Sequence, residues 1–505
     1  MQRIEIIDTT LRDGEQTSGV SFAAPEKLHI VRLLIEDLRV DHVEIASAKV
    51  SDGEFETVRR VTKWAEANHV IEKIEVLGFV DGDKSLAWVK NAGCRVMNLL
   101  CKGSLKHCTG QLRKTPEQHL ADIQTVLDNA AAESIGINVY FEDWSNGMNH
   151  SPDYVFFLAD HLKNKNIRRF MLPDTLGILN PTQTAAFCRT MVARYPDLYF
   201  DFHAHNDYDL AVANIYEAAK AGIKGIHVTI NGLGERAGNA PLSSVVAVLH
   251  DQLKLPTNIR EDKINAVSRA VESYSGIRIP ANKPVVGEHV FTQVAGVHAD
   301  GDNKNKLYYN DLLPERFGRE RLYALGKNSG KANVLKNLEN LNMELDEDTM
   351  RKVTERIIEL GDKKEVVTPD DLPYIVSDVL KSENVVQKVK LLNYSLSISK
   401  GLKPIANIGI EIGGESYRES AVGDGQYDAF MKALWTIYDR TGKPHPVLED
   451  YNVGIPPGGR TDALVQTVIT WNMNGNVFKT SGLDGDQTEA AIKATVKMLN
   501  IIENK

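Results

Sequence analysis

The sequence has few cysteines, no long apolar run and no surplus of positive charge, and each shortage closes off a class of function. No stretch of about 18 apolar residues occurs, the length a membrane-spanning helix needs, so no span is expected. Acidic residues outnumber basic ones, 68 against 59, for a net charge of -9. A chain of that sign lacks the electrostatic footprint for nucleic acid or an anionic membrane surface. The four cysteines, Cys94, Cys101, Cys108 and Cys188, form no CxxC pair. Three recur at seven-residue spacing but fall around and beyond one expected strand, so reduced thiols of a cytoplasmic protein are expected rather than a shared zinc. Low-complexity tracts are absent, and Met1-Gln2-Arg3 leads into a strand-like segment rather than a cleavable signal.

What is there is an ordinary globular composition, 42% hydrophobic and 25% charged, in 505 residues, too long for one core. Short apolar segments recur at 4–8, 42–46, 74–79, 96–100, 137–141, 169–173, 199–202 and 225–229. Stretches of helical period separate them, among them 25–38, 54–67, 116–132, 152–165, 181–195 and 210–221. Eight strands alternating with helices predict an α/β chain opening with a parallel (β/α)8 TIM barrel, residues 1–275. The rhythm then stops. Residues 276–385 read as Gly/Pro-rich loops, short helices and a small helical unit. Residues 386–505 read as a separate α+β domain with strands at 388–400, 406–412 and 462–473 and helices at 424–440 and 487–503. A regulatory or dimerising role is expected of it, giving a homodimer. Its Gly413-Gly414 and Gly458-Gly459 pairs suit a small-ligand site and equally suit hairpin turns.

In such barrels the chemistry gathers at the C-terminal ends of the strands. Those ends carry Arg12, Asp13, Glu44, Leu77, Leu100, Glu142, Thr175, His203, His205 and the run 231–239. His203 and His205 alternate on one strand and so face one way. With Asp13 they offer mixed N/O ligation suited to Zn2+, Mn2+ or Mg2+, and Asn239 could add a neutral oxygen. Hydrogen-bonded core histidines are the bland alternative for the pair alone. Arg12 can grip a carboxylate bidentately. The run Gly326-Lys327-Asn328-Ser329-Gly330-Lys331 lacks P-loop spacing, which excludes nucleotide hydrolysis on that motif.

Four separated motifs, DTTLRDGEQ, HAHND, NGLGERAGN and GVHADG, appear in that order. Together they make the chain resemble the 2-isopropylmalate, homocitrate and citramalate synthase family over essentially its whole length. The resemblance implies a Claisen-type condensation of acetyl-CoA with a 2-oxo acid, assisted by a divalent metal and followed by thioester hydrolysis. It implies metal ligands at Asp13, His203, His205 and Asn239, and substrate contacts from Arg12 and Thr175. It gives Glu142, His298 and Tyr308 to catalysis on acetyl-CoA, with Asp300 and Leu307 lining the acyl pocket. Isoleucine or leucine as a feedback effector of the C-terminal domain belongs to the same expectation.

Substrate choice is expected to depend on Leu77, Leu100 and Tyr140, at the ends of strands three to five. This bulky set resembles citramalate synthases, which take pyruvate; 2-oxoisovalerate, the substrate of 2-isopropylmalate synthases, is the alternative. A distal carboxylate would go unpaired, which disfavours 2-oxoglutarate. A metal-dependent acyl-CoA lyase would share barrel and HxH site, but such lyases place a cysteine in the loop after strand eight. Here residues 231–241 contain none.

Overall fold

A computed structural model of the protein describes residues 3–304, 306–341, 343–362, 367–380, 388–454 and 465–504. The chain divides into two compact units, Met1–Phe291 with Asn310–Glu320, and Thr292–Tyr309 with Arg321–Lys505. The sequence boundary at 275 therefore stands earlier than the end of the first unit, and the 385/386 boundary lies outside the described residues.

The first unit is a closed parallel barrel of β1 (Glu5–Asp8), β2 (His42–Ser47), β3 (Ile74–Phe79), β4 (Val96–Lys102), β5 (Gly136–Glu142), β6 (Ile167–Asp174), β7 (Phe200–Ala204) and β8 (Gly225–Val228), each paired with the next and β8 with β1. All eight lie where the apolar segments predicted them. Both faces are buried, as in parallel sheets generally, so these strands read as nearly continuous apolar runs. Helices cover the outside, their starts fixed by local chemistry. Thr115 and Gln118 form a reciprocal capping box at Pro116–Ala132, and Asn180 and Gln183 another at Pro181–Arg194. The predicted helix 25–38 is α-helical over Ala24–Arg32 and π-helical over Leu33–Leu38, and it stops at Arg39 in the left-handed region, φ 63°. All four cysteines are buried and free. Burial pushes the Cys94 thiol up to about 12, so it stays protonated.

The second unit opens with two short strands, β9 (Thr292–Gln293) and β10 (Leu322–Tyr323), which pair in parallel, and helices Lys331–Asn340, Glu347–Asp362 and Leu372–Leu380 around a small core that includes Val334, Leu338, Val353 and Ile357. There follow two copies of one pattern, three antiparallel strands and a helix. The first is β11 (Val389–Ser397), β12 (Ile405–Ile412), β13 (Glu415–Val422) and helix Gln426–Arg440. The second is β14 (Val447–Gly454), β15 (Val465–Met473), β16 (Asn476–Asp484) and helix Gln487–Asn504. Gly413 and Gly414, φ 60° and 90°, form the two-residue turn between β12 and β13, so this pair serves a hairpin. Gly458-Gly459 lies outside the described residues.

Candidate active site

The loop after β1 curls into a short turn at once, because Thr9 O accepts the backbone N–H groups of Arg12, Asp13 and Gly14. That turn aims Asp13 at the end of β7. Asp13 Oδ2 stands 3.3 Å from His203 Nε2 and 3.7 Å from His205 Nε2, with all three side chains buried. Their ligand atoms lie within 4.8 Å of one another. Burial would raise the Asp13 carboxyl, but Arg12 and the two imidazoles hold it well below the usual range. Burial lowers both histidines, His205 to about 4, so each imidazole is neutral near pH 7 and has a lone pair to give.

Asn239 is tied to this group by a bridge to His205, and its Nδ2 donates to Leu233 O at 3.1 Å. Gly234, φ 153°, lets that amide approach, since a Cβ there would come within 2.2 Å of Asn239 Nδ2. Asn239 Oδ1 and Asp13 Oδ1 are buried oxygens without a hydrogen-bond partner. Buried oxygens of this kind need an explanation. Two such oxygens beside two neutral imidazoles form a donor set that fits a divalent cation.

Arg12 is fixed on three sides. Its Nε donates to Glu44 Oε2 at 2.5 Å, Nη1 to Asp13 Oδ2 at 2.9 Å and Nη2 to the Tyr140 hydroxyl at 3.3 Å. Asn98 supports Glu44 from below, its Nδ2 donating to Glu44 Oε1 at 2.8 Å. A guanidinium carries five N–H donors, so two remain, one on each terminal nitrogen.

Leu77, Leu100 and Tyr140 come together in a small apolar cluster of their own inside the barrel, with Met171 as its fourth member. Sequence reasoning missed Met171, because within Arg168-Arg169-Phe170-Met171-Leu172 it reads as one more core residue of a strand buried on both faces. Thr175 lies just past β6, and its hydroxyl oxygen accepts the Asp143 N–H at 2.9 Å, leaving the hydroxyl proton free to donate. Glu142 ends β5, and its carboxylate is ion-paired with Lys102, its register partner on β4 and a residue sequence reasoning passed over. His298 and Tyr308 belong to the second unit, where their rings lie 4.2 Å apart, and Leu307 beside them is exposed. Asp300 pairs with Lys304 on the same helix, Gly296–Asn303 and the residue after it. No helix among the described residues is long and apolar enough to cross a membrane.

Known proteins resemble the chain along its whole length. Residues 3–271 match the HMGL-like family, residues 285–365 the homocitrate synthase post-HMGL domain-like family and residues 366–503 the LeuA allosteric (dimerisation) domain. A putative (R)-citramalate synthase of Methanopyrus kandleri is 31% identical over 98% of this chain and 96% of its own. A probable 2-isopropylmalate synthase of the same organism is 32% identical over 99% of this chain and 98% of its own. An (R)-citramalate synthase of Methanocaldococcus jannaschii is 31% identical over 99% of this chain and all of its own.

Proposed function

We propose that this chain, which belongs to the HMGL-like family and carries a LeuA allosteric (dimerisation) domain, condenses acetyl-CoA with pyruvate to give citramalate. It is an acetyl-CoA-dependent acyltransferase of the group that holds the citramalate and 2-isopropylmalate synthases. Relatives of both names are equally similar, so the choice of 2-oxo acid is argued from the pocket.

The observation that carries the choice is the cluster of Leu77, Leu100, Tyr140 and Met171. Four bulky side chains packed on one another, with Tyr140 against Arg12, leave room for a methyl group more readily than for an isopropyl group. None of the four carries a cation to pair a distal carboxylate. A 2-oxoisovalerate-using enzyme is the second reading, favoured by the equally similar 2-isopropylmalate synthase relative.

Arg12 would present its two remaining N–H groups to the 2-oxo acid, orienting it and offsetting charge that builds on the ketone oxygen. Thr175 would donate its free hydroxyl proton to the substrate carboxylate. A divalent cation held by Asp13, His203, His205 and Asn239 supplies Lewis-acid polarisation of the carbonyl when bound. The acetyl methyl group must lose a proton to a base, and its carbon then bonds to C2 of the 2-oxo acid, whose oxygen gains a proton. Water then cleaves the thioester C–S bond, releasing CoA thiol and a carboxylate. For the proton transfers we assign Glu142, His298 and Tyr308, and for the acyl pocket Asp300 and Leu307, from the motifs in which they stand. The C-terminal domain is proposed to bind isoleucine or leucine as effector.

Release of CoA thiol from acetyl-CoA, with a divalent metal and pyruvate, 2-oxoisovalerate or 2-oxoglutarate in turn, tests the proposal. Pyruvate should give a kcat/KM at least about tenfold above 2-oxoisovalerate, within the range a few methylenes provide. No release with any acid would remove the synthase reading; a preference for 2-oxoisovalerate would replace the substrate.

A further inference from the structure

Behind the pocket wall lies a hydrogen-bonded column that the condensation chemistry does not account for. His227, on β8, has a fully buried side chain. Its Nδ1 stands 2.9 Å from the Tyr140 hydroxyl and its Nε2 3.4 Å from Asp201 Oδ2. Asp201 is held in turn by Arg169, whose Nη1 donates to Oδ1 at 3.4 Å. The imidazole packs edge-on against Tyr140 at 5.5 Å and against His203 at 5.4 Å, which leaves it one orientation.

The donors then follow by elimination. A carboxylate accepts, so a ring with a single N–H turns it on Nε2 toward Asp201 and leaves Nδ1 as the acceptor facing Tyr140. Tyr140 must donate its O–H to that Nδ1, and its oxygen accepts from Arg12 Nη2. The one proton of the hydroxyl is thereby used, so it has none to give the substrate. The substrate meets Tyr140 as a ring edge of fixed position, and Arg12 keeps one N–H on Nη2 instead of two.

We propose that His227, oriented by Asp201, is a positioning residue that fixes the Tyr140 hydroxyl and, through it, the Arg12 guanidinium, so that the column sets how the site reads its 2-oxo acid. This rests on the 2-oxo acid reading of the site but not on which acid is preferred.

Two substitutions separate the halves of the imidazole. His227→Asn keeps an oxygen near the place of Nδ1, facing Tyr140. His227→Gln reaches Asp201 and leaves Tyr140 without its acceptor. Loss of one well-formed hydrogen bond next to the substrate corresponds to about a tenfold change. His227→Gln should therefore lower kcat/KM for the preferred acid about tenfold and shift the ratio between pyruvate and 2-oxoisovalerate. Tyr140→Phe should do the same, and the double variant should be no worse than either single one. His227→Asn should stay within about threefold of the unsubstituted protein. An unchanged His227→Gln, multiplying effects in the double variant, or equal damage from Asn and Gln would overturn the proposal. Nitrogen-15 histidine spectra of the full chain give a readout independent of turnover. They should show His227 as the neutral Nε2–H form with Nδ1 hydrogen-bonded, and that shift should move in Tyr140→Phe. An Nδ1–H form would refute the column even if no 2-oxo acid were turned over, whereas absent turnover with the expected spectrum would remove only the reading of the site.

Discussion

Asp8 closes β1 with no exposure to solvent, its two oxygens taking the Thr10 N–H at 2.9 Å and the Thr10 hydroxyl at 3.0 Å. Burial outweighs those two bonds and raises its carboxyl from 3.8 to about 7. Between those values the folded barrel holds a proton that the unfolded chain has released. The contribution is therefore complete below the unfolded value and is lost as pH rises toward 7, at no more than about 1.4 kcal/mol per pH unit. Asp8→Asn imitates the protonated form and removes the dependence. In urea melts of the barrel from pH 4.5 to 8, the variant's midpoint should gain on the unsubstituted protein as pH rises; a gap that stays constant would contradict the assignment. At this scale the sequence is legible where chemistry interrupts pattern. Asp13, His203 and His205 stand in polar loops or alternate on one strand, and they meet as expected. Met171, Asp201 and His227 were not legible, because each sits within a strand buried on both faces, where a functional side chain and a core side chain occupy the same kind of position.

Two elements of the C-terminal unit approach each other closely at Gly482, inside β16. A Cβ there would come within 2.0 Å of Ala490 O and 2.9 Å of Ala494 N, both in the helix Gln487–Asn504. Gly482→Val should therefore push the helix off the sheet, at about 1–3 kcal/mol or more. Calorimetry should show the unfolding of this unit moving down by several degrees. Gly485→Ala, with nothing within 4 Å, is the matched control and should leave it in place. Whereas all eight barrel strands were readable, β13, β14 and β16 were not. Barrel strands are short apolar runs between helices; β13 nearly alternates exposed with half-exposed residues, β14 is exposed or half-exposed throughout, and both carry charges, so no apolar run marks them. One signal was present. Asn474-Gly475, both at positive φ, forms the two-residue turn between β15 and β16, and Asn-Gly between alternating segments is a strong hairpin mark. The π-helical end of the first barrel helix had no such mark, since hydrogen-bond register leaves no trace in side-chain period.

Each three-stranded sheet of the C-terminal unit packs a helix on one face, and the register shows what the other face carries. Trp471 and Ala406 are buried toward the helices. Residues one step along their strands point the other way. On the second sheet Val447, Asn472 and Val477 form one such row across the strands, with Val447 68% and Val477 51% exposed. On the first sheet Ile405 and Val422 form the corresponding row and are likewise exposed. Branched apolar residues lined up on two open sheet faces make apolar strips of the kind a protein contact covers. These strands lie within residues 366–503, which match a LeuA allosteric (dimerisation) domain. We therefore assign these rows to contact with a second copy. Light scattering of the full chain should give twice the chain mass of 56.1 kDa. Val477→Asp with Val422→Asp places unpaired carboxylates on both rows while leaving the helix-facing core untouched. Burying them would cost several kcal/mol, so the concentration at which dimers dissociate should rise at least tenfold. A variant that stayed dimeric at the same concentrations would move the dimer contact off these sheets. One that became monomeric yet still bound isoleucine or leucine, the proposed effectors, would separate effector binding from dimer formation.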